Sequence, residues 1–506
     1  MPDEKNGAQR PNILLIMVDD MGYSDLGCYG SEISTPNLDG LAENGLRFSM
    51  FYNAARCCPT RASLLTGLYP HQAGVGRMVS GNGPGPYQGY INDKCVTIAE
   101  VLGSAGYATY MSGKWHVGEE RPNWPVDRGF SRHYGLISGA MNYWDIRKPK
   151  REGVVRHFAD NDKEYVPEPG DWYSTDAFTD HAVKCIREHG DTDQPFFLYL
   201  AYNAPHWPLH ARPEDIERHK GKYGEGWDAL RKARYERLLE LGLIKEDWAL
   251  SPRDADAADW DELDGDTKAL MARKMEIYAA QVDRMDQGVG RVVSALKEKG
   301  ELENTLIMFL SDNGACHEGG PLGFDRDNGN GGELGGVDSY QSYGLSWSNA
   351  SNTPFRKHKH WVHEGGIATP LIVHWPGHTT VPGNITHQPG HIVDVMATCC
   401  DAAGATYPAE YQGRAITPIE GRSLVPVFDG KEREPHDILY WEHCRNEAVI
   451  AGKWKLVLEK GQPWELYDLE SDRTELNDLV EKEPGKVKEL EAKFLEWAEK
   501  VGVIRD

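Results

Sequence analysis

A single pattern is repeated along the first two-thirds of the chain: a helical segment, a glycine or other helix breaker, and then a short apolar strand. Strands that alternate with helices favour a largely parallel sheet with helices packed on both of its faces. The predicted helix and strand pairs are 35–44 with 46–52, 97–104 with 107–112, 175–188 with 196–201, and 276–299 with 305–310. Together with an apolar strand at 13–18, this pattern predicts an α/β fold for most of the chain.

The pattern changes towards the C-terminus. After about residue 430, short strand candidates are separated only by turns, and an amphipathic helix pattern follows at 483–501. The strand candidates are 438–443, 447–450, 454–458 and 464–469. We therefore predict a smaller antiparallel sheet with one helix, and we divide the chain into a large α/β domain at 1–430 and an α+β subdomain at 431–506.

The formal net charge of −23 argues against nucleic acid and anionic membranes as partners. No apolar run approaches the roughly 18 residues that a membrane helix needs. Residues 1–10 are polar and lack the apolar core of a signal peptide. We therefore expect a cytoplasmic protein as written, or a periplasmic or secreted one if an export signal has been removed. The nine cysteines are scattered and do not resemble a disulfide framework.

Polar side chains follow four of the predicted strands at the point where each strand ends. They are Asp19 and Asp20 after 13–18, Lys114 and His116 after 107–112, His206 after 196–201, and Asp312 and Asn313 after 305–310. In open α/β sheets, ligands bind beyond the carboxyl ends of the strands. We therefore expect these residues to form one site.

The acidic part of this set predicts a metal site. Asp19, Asp20, Asp312 and Asn313 supply only oxygen ligands, which hard divalent cations prefer, and calcium tolerates irregular loop geometry better than magnesium does. Taken alone, the Asp312-Asn313-Gly314 run is more typical of a turn. The run 325–329 faintly resembles an EF-hand loop, but it lacks that loop's spacing and terminal glutamate, so we reject it as a calcium site.

The most specific motif is Cys57-Cys58-Pro59-Thr60-Arg61, which is followed by Thr66-Gly67. Pro59 favours a helix start here, which leaves Cys57 and Arg61 one turn apart on one face. The amino end of a helix also favours an anion. Two adjacent cysteines alone would be interpreted as buried thiols. The complete motif, however, resembles the maturation signal C-x-P-x-R-x4-T-G of the type I sulfatases, a family of the alkaline phosphatase superfamily.

The resemblance covers nearly the whole chain. Residues 113–118 are similar to the family's G-K-W-H-x-G motif and residues 205–208 to its P-H-x-P turn. The segments 441–443, 452–456 and 464–469 look like the C-terminal subdomain of bacterial arylsulfatase-type members. The resemblance implies an alkaline phosphatase-like fold, with catalysis in 1–430, and hydrolysis of a sulfate monoester of an aryl alcohol or a carbohydrate.

The resemblance also implies roles for the site residues. A maturation enzyme oxidises Cys57 to formylglycine, whose hydrate attacks sulfur and, with Asp19, Asp20, Asp312 and Asn313, binds one calcium ion. Lys114 and Lys359 bind the sulfate, Arg61 holds the aldehyde hydrate, His116 deprotonates its second hydroxyl, and His206 protonates the leaving alcohol. Lys359 is preferred over Lys357 because it lies three residues after Arg356. These cations would attract an anionic substrate to an acidic protein.

Two alternatives remain open at this point. The first is a phosphonate or phosphate diester hydrolase that uses the same formylglycine, which the core motif does not exclude. The second is a catalytically silent binding protein in which Cys57 stays unoxidised. An ordinary alkaline phosphatase is disfavoured because it would have Ser or Thr at position 57. We predict that specificity lies in 78–90, in 314–344, in the insertion at 209–270 and near Glu442-His443, and the natural substrate stays open.

Overall fold

The computed structural model describes residues 10–79, 83–148, 154–190, 193–326 and 332–505. The remaining positions include most of the polar N-terminal segment, residues 80–82 and 327–331 of the two predicted specificity loops, and thus part of the rejected calcium loop at 325–329. Those parts of the predictions lie outside the described residues. No helix in the described ranges combines the length and apolar character needed to cross a bilayer.

The predicted α/β fold is confirmed. A mixed, mostly parallel sheet contains eleven strands of the described residues, in the order β10-β2-β9-β8-β1-β7-β3-β4-β5-β6, with β11 beside β2. The strands are β1 Asn12–Asp19, β2 Leu46–Tyr52, β3 Ala108–Gly113, β4 Arg132–Leu136, β5 Phe158–Asp160, β6 Lys163–Glu164, β7 Phe196–Pro205, β8 Thr305–Ser311, β9 Ala368–His374, β10 Asn384–Thr386 and β11 Gly390–His391. The central strands β8, β1, β7, β3 and β4 are parallel to one another.

Helices cover both faces of this sheet. They are α1 Pro36–Glu43, α2 Cys57–Thr66, α3 Pro70–Ala73, α4 Ile98–Ser104, α5 Ser174–Glu188, α6 Pro213–His219, α7 Gly226–Glu240, α8 Gly265–Glu298, α9 Gly344–Ser351, α10 Glu364–Ile367 and α11 Asp394–Ala403. Strand β1 shows that both faces are covered, because its alternate side chains pack into hydrophobic clusters on opposite faces of the sheet. Leu14 and Ile16 pack with Met285 of α8, whereas Leu15 and Met17 pack in the cluster that contains α2 and α4.

Three local predictions differ from the structure. Helix α8 begins at Gly265, well before the predicted residue 276, because Asp264 caps it through the N–H of Thr267. Strand β7 continues to Pro205 instead of ending at 201. The helix predicted at 35–44 begins one residue later, at Pro36, and the hydroxyl of Thr35, a residue type that often caps helices, accepts from the Gly27 N–H instead.

The C-terminal sheet was also predicted correctly. Short elements at β12 Glu410–Tyr411, β13 Arg414–Ala415 and α12 Val425–Phe428 lead into an antiparallel sheet of β14 Leu439–His443, β15 Asn446–Ala451, β16 Trp454–Leu458 and β17 Trp464–Asp468, and then α13 Pro484–Val501. Phe494 of α13 packs with Val449 and Leu456 of the sheet. The division into 1–430 and 431–506 remains our proposal.

Buried charges connect this small sheet to the large one. Glu364 of α10 accepts from Lys455 of β16 at 2.9 Å and from Arg473 at 2.9 Å. All three side chains are fully buried. Removing one member of such a network leaves an uncompensated buried charge, which costs about 3–5 kcal/mol. The C-terminal sheet therefore lies in a fixed position beside the carboxyl end of the large sheet.

Candidate active site

The predicted site residues meet at one edge of the sheet. Strand β1 lies between β7 and β8 in parallel register, so the three strands present their carboxyl ends together. Asp19 is the last residue of β1, His206 follows β7 directly, and Asp312 follows β8. The longer β7 therefore brings His206 to the same edge.

We call the buried charged base of this site the floor, defined as Asp19, Asp20, Arg61, Lys114, Asp312, Asn313 and Lys359. Each of these residues is at most 1% exposed. Lys114 Nζ lies 2.5 Å from Asp19 Oδ2, and Lys359 Nζ lies 2.8 Å from Asp20 Oδ2. Arg61 donates to Asp312 Oδ2 from Nε at 3.0 Å and from Nη2 at 2.8 Å. Each floor carboxylate thus faces its own cation.

The floor still has unused oxygen ligands. Asn313 donates to Asp20 at 2.7 Å, but its Oδ1 and Asp19 Oδ1 are buried without a hydrogen-bond partner in the described part of the chain. Burial raises the pKa of Asp312 well above its usual range. The neighbouring Asp19 raises this pKa further, whereas Arg61 lowers it. Burial also raises the pKa of Asp19. This crowded, all-oxygen set fits a hard divalent cation such as calcium.

Cys57 begins helix α2 and is 2% exposed. Its thiol pKa lies well below the usual range because Cys58 hydrogen-bonds to it and because Lys114 and His116 stabilise the thiolate, which together outweigh burial. Arg61 follows one turn later on the same helix and donates to the Lys114 carbonyl at 3.0 Å. The predicted one-turn spacing therefore brings Cys57 to the floor.

Two glycines allow Lys114 and His116 to occupy their positions. A Cβ on Gly113, whose φ is 112°, would lie 1.9 Å from the Ala201 carbonyl oxygen, so only glycine lets β3 approach β7 here. A Cβ on Gly139 would lie 2.3 Å from His116 Nε2. Burial lowers the pKa of His116 to about 4, so this imidazole is neutral at neutral pH.

His206 lies above Asp20, with its Nε2 3.3 Å from Asp20 Oδ2. Its Nδ1 is 2.6 Å from the Trp207 carbonyl oxygen, which can only accept, so Nδ1 carries a proton. Burial lowers the pKa of His206 to about 4, although Asp20 opposes this change. The neutral ring therefore has a bare Nε2, and only the protonated ring can donate from that atom.

A cavity of about 260 Å³ opens above Cys57, His116, His206 and Lys359. We call its outer lining the wall, defined as Arg56, Glu119, Arg156, Trp207 and Glu318. Glu318 accepts from Arg56 at 3.0 Å and from Trp207 Nε1 at 2.8 Å. Lys359 and Arg56 together outweigh burial and hold the pKa of Glu318 below its usual range.

Most wall residues were not predicted from the sequence. Trp207 lies within the P-H-x-P turn and Arg56 directly precedes Cys57, so proximity to a motif could have indicated both. No local signal indicates Glu119 or Arg156. Of the predicted specificity segments, 78–90 contributes Met78 and Val79 and 314–344 contributes Glu318. None of the described residues in 209–270, and neither Glu442 nor His443, lines this cavity.

A larger cavity of about 610 Å³ lies between β4 and α5 and is lined by residues such as Arg132 and His181. It contains none of the predicted site residues, so we place the chemistry in the smaller cavity.

Comparison with known proteins decides the family. The family model described as Sulfatase matches residues 11–405, and the model described as N-sulphoglucosamine sulphohydrolase, C-terminal matches residues 355–500. The chain belongs to the sulfatase family. Members of this family are sulfuric ester hydrolases, so the protein hydrolyses sulfate esters. A bound metal ion and a formylglycine are general features of the family.

Individual relatives agree with this assignment. The sulfatase is 35% identical to an arylsulfatase of Klebsiella aerogenes over 84% of this chain and 93% of that one. It is 30% identical to the N-acetylgalactosamine-6-sulfatase of Homo sapiens over 88% of this chain and 71% of that one. The crystal structure of Ps i-CgsB in complex with k-i-k-neocarrahexaose matches with a TM-score of 0.72 and 28% identity, over 97% of this chain and 93% of that one.

Proposed function

We propose that this sulfatase cleaves sulfate monoesters with a formylglycine made from Cys57 by a maturation enzyme and with one calcium ion at the floor. The position of Cys57 carries this proposal. It lies at the amino end of α2, buried beside Lys114 and His116, within electrostatic reach of all three floor carboxylates. The hydrated aldehyde would supply the attacking oxygen.

The calcium ligands would be Asp19, Asp20, Asp312, Asn313 and the modified residue 57. Bound there, calcium would polarise the attacking oxygen and balance negative charge on the sulfate. The two partnerless oxygens of Asp19 and Asn313 support this assignment because buried acceptors are normally satisfied.

The floor cations would hold the sulfate. Lys114 and Lys359 are already oriented by Asp19 and Asp20, so they need no reorganisation when charge develops on the sulfate oxygens. Arg61 is held by two hydrogen bonds to Asp312 and would fix the base of the modified residue. Neutral, buried His116 would accept the proton from the second hydroxyl of the hydrate.

His206 would donate a proton to the leaving alcohol. Since Nδ1 is fixed by the Trp207 carbonyl, Nε2 is the ring nitrogen that would reach the leaving oxygen of a substrate in the cavity. A bound sulfate brings negative charge next to the ring and favours the imidazolium form that this role requires. The proton donated from Nε2 goes to the oxygen that leaves sulfur.

The wall supports a carbohydrate as the leaving group. The cavity is lined by two pairs of a guanidinium and a carboxyl group, Arg56 with Glu318 and Arg156 near Glu119. These planar groups supply both hydrogen-bond donors and acceptors, which suits hydroxyl-rich ligands. Trp207 adds an aromatic surface. The similarity to Ps i-CgsB and to an N-acetylgalactosamine-6-sulfatase supports the same substrate class. The arylsulfatase relative supports activated aryl sulfates as assay substrates.

The first test is the mass of the proteolytic peptide that contains Cys57. An aldehyde mass is the expected result. The matured protein is then assayed with an aryl sulfate and an aryl phosphonate monoester of the same leaving group. Faster turnover of the sulfate is expected, and faster turnover of the phosphonate would favour the alternative hydrolase. A matured protein that turns over neither compound, nor any sulfated sugar, would contradict the proposal.

A further inference from the structure

Three side chains with nitrogen and sulfur donors gather at the hairpin between β14 and β15, outside the floor and the wall. The ligand atoms of His360, His443 and Cys444 all lie within 4.8 Å of one another. His443 is 1% exposed, and the other two are partly buried. The chemistry of this group differs from that of the floor, because it contains two imidazoles and one thiol and no oxygen.

The His443 ring has no oxygen or nitrogen partner among the residues that the structure describes. Its Nδ1 is buried without a hydrogen bond, and its Nε2 has only the Cys444 sulfur, at 3.6 Å. A buried polar group without a partner destabilises a fold by about 1–3 kcal/mol, so native proteins rarely leave one.

The spacing of Cys444 Sγ and His443 Nε2 matches that of two zinc ligands. With Zn–S near 2.3 Å and Zn–N near 2.0–2.1 Å, two tetrahedral ligands place sulfur and nitrogen about 3.6 Å apart. Cys444 Sγ and His443 Nε2 are separated by 3.6 Å. The His360 and His443 rings have centroids 5.0 Å apart and are nearly perpendicular, at 85°. The third ligand atom, on His360, lies within 4.8 Å of the other two.

The backbone at this cluster is unusual. Cys444 and Arg445 form the two-residue turn that joins β14 to β15, with φ of 52° and 73°. Such turns normally use Asn-Gly, because both central residues need a left-handed conformation. His360, from a distant loop, also has a positive φ of 93°. The turn accounts for the backbone of Cys444 and Arg445, whereas His360 holds a positive φ outside any such turn, as residues at functional sites often do.

We propose that His360, His443 and Cys444 form a zinc site, with a fourth position left for water. Thiolate and imidazole ligands favour zinc, whereas calcium requires oxygen. On binding, the Cys444 S–H bond breaks, the Zn–S bond forms and the proton passes to solvent. The site joins the β14–β15 hairpin to the residue that follows Lys359, and thereby holds the Lys359 loop against the C-terminal sheet.

The experiment uses the full chain saturated with calcium and adds Co²⁺ as a spectroscopic substitute for zinc. Cobalt bound to a thiolate gives an intense near-ultraviolet charge-transfer band, whereas cobalt on the oxygen ligands of the floor does not. We expect one thiolate-bound cobalt ion in a Cys57→Ser, Cys58→Ser background and loss of its band when Cys444→Ser is added. Cys185→Ser is the matched control, because Cys185 Sγ lies 3.7 Å from His181 Nε2 but has no third ligand in reach within the described chain.

A second group, Cys57, Cys58 and His116, could also bind cobalt before maturation. The Cys57→Ser, Cys58→Ser double variant removes that possibility and should keep the band. A band that is lost in the double variant and kept in Cys444→Ser would overturn the proposal, as would no band in the wild type.

A second measurement covers the case in which Cys444→Ser does not fold. His360→Ala leaves the hairpin sequence intact and should weaken cobalt binding by more than about tenfold, since even residues that only support metal ligands cost 10–100-fold. Zinc, added with calcium already saturating, should raise the Tm of the wild type and of Cys185→Ser but not of His360→Ala. Equal cobalt affinity and equal Tm shifts in all three proteins would refute the site.

Discussion

The floor and the wall of the active-site cavity are built in different ways. Floor residues are almost completely buried. All of them except Lys359, which lies on a loop, are at strand ends or on α2, and three separate contacts pair charge with charge over 2.5–2.8 Å. Wall residues are partly exposed and come from loops, and among them Arg56 pairs with Glu318 at 3.0 Å. We therefore propose that the floor holds the sulfate group in a fixed arrangement of charges, whereas the wall contacts the rest of the substrate.

This difference predicts a hierarchy of mutational effects. Changes at the floor should reduce the rate for every sulfate ester, because the sulfate group is common to all of them. Changes at the wall should alter the ranking of substrates and leave the chemical step largely intact.

The largest effect is expected for Cys57→Ser, which removes the precursor of the nucleophile. We expect kcat to fall by about 10⁴-fold or more, the scale seen when a catalytic nucleophile is removed. Cys58→Ser is the matched control, since Cys58 is equally buried and contacts the Arg77 carbonyl and Met78 as well as the Cys57 thiol. It should retain most activity, because a serine hydroxyl can also hydrogen-bond to residue 57. Steady-state kinetics with an aryl sulfate measure kcat for both variants. Similar losses of kcat would contradict the assignment of Cys57, rather than Cys58, as the precursor of the nucleophile.

His206→Ala should slow esters of poor leaving groups by about 10²–10⁴-fold, the usual contribution of a general acid. Esters of acidic phenols need little protonation, so they should be slowed far less. The slope of log kcat against leaving-group pKa across a series of aryl sulfates measures this effect. An unchanged slope in the variant would assign His206 a positioning role instead.

Lys359→Ala should reduce kcat by about 10²–10³-fold, as expected when one preorganised electrostatic contact is lost. Lys357→Ala provides the comparison, because Lys357 is partly exposed and pairs with Glu459 at 2.8 Å, away from the floor. It should change kcat by no more than about twofold, consistent with a surface ion pair. Thermal unfolding of both variants checks that Asp20, left without Lys359, does not unfold the protein. The reverse order of effects would select Lys357 as the sulfate ligand.

The smallest effect is expected at the wall. Arg156→Gln should raise KM for a sulfated sugar by about tenfold, equivalent to about 1.4 kcal/mol, with little change in kcat. An activated aryl sulfate should be almost unaffected. Arg132→Gln is the control, since Arg132 lies in the other cavity and pairs with Glu188 at 2.9 Å. A loss of kcat with both substrates would place Arg156 with the floor rather than the wall.

Much of the fold was accessible from local patterns. The alternation of helical segments with apolar strands predicted the central strands of the sheet. The polar residues that follow those strands indicated the edge of the sheet at which the site lies. Predictions failed where neighbouring elements decide the outcome. Strand β9 contains Pro370, which disfavours a strand locally, yet it pairs with both β2 and β8. Similarly, β7 continues past residue 201 because β1 pairs with it as far as Pro205.

The sequence by itself determined which residue types we propose for the chemistry, because Cys57 with Arg61, Lys114 with His116, and the acidic pairs after β1 and β8 lie in short local motifs. It did not determine how these groups pair. Lys359 reaches Asp20 across 339 positions, and Arg61 reaches Asp312 across 251. Only the tertiary structure decided those contacts, the composition of the wall, and the meeting of His360 with the β14–β15 hairpin, because each depends on where distant loops are placed by the packing of the two sheets.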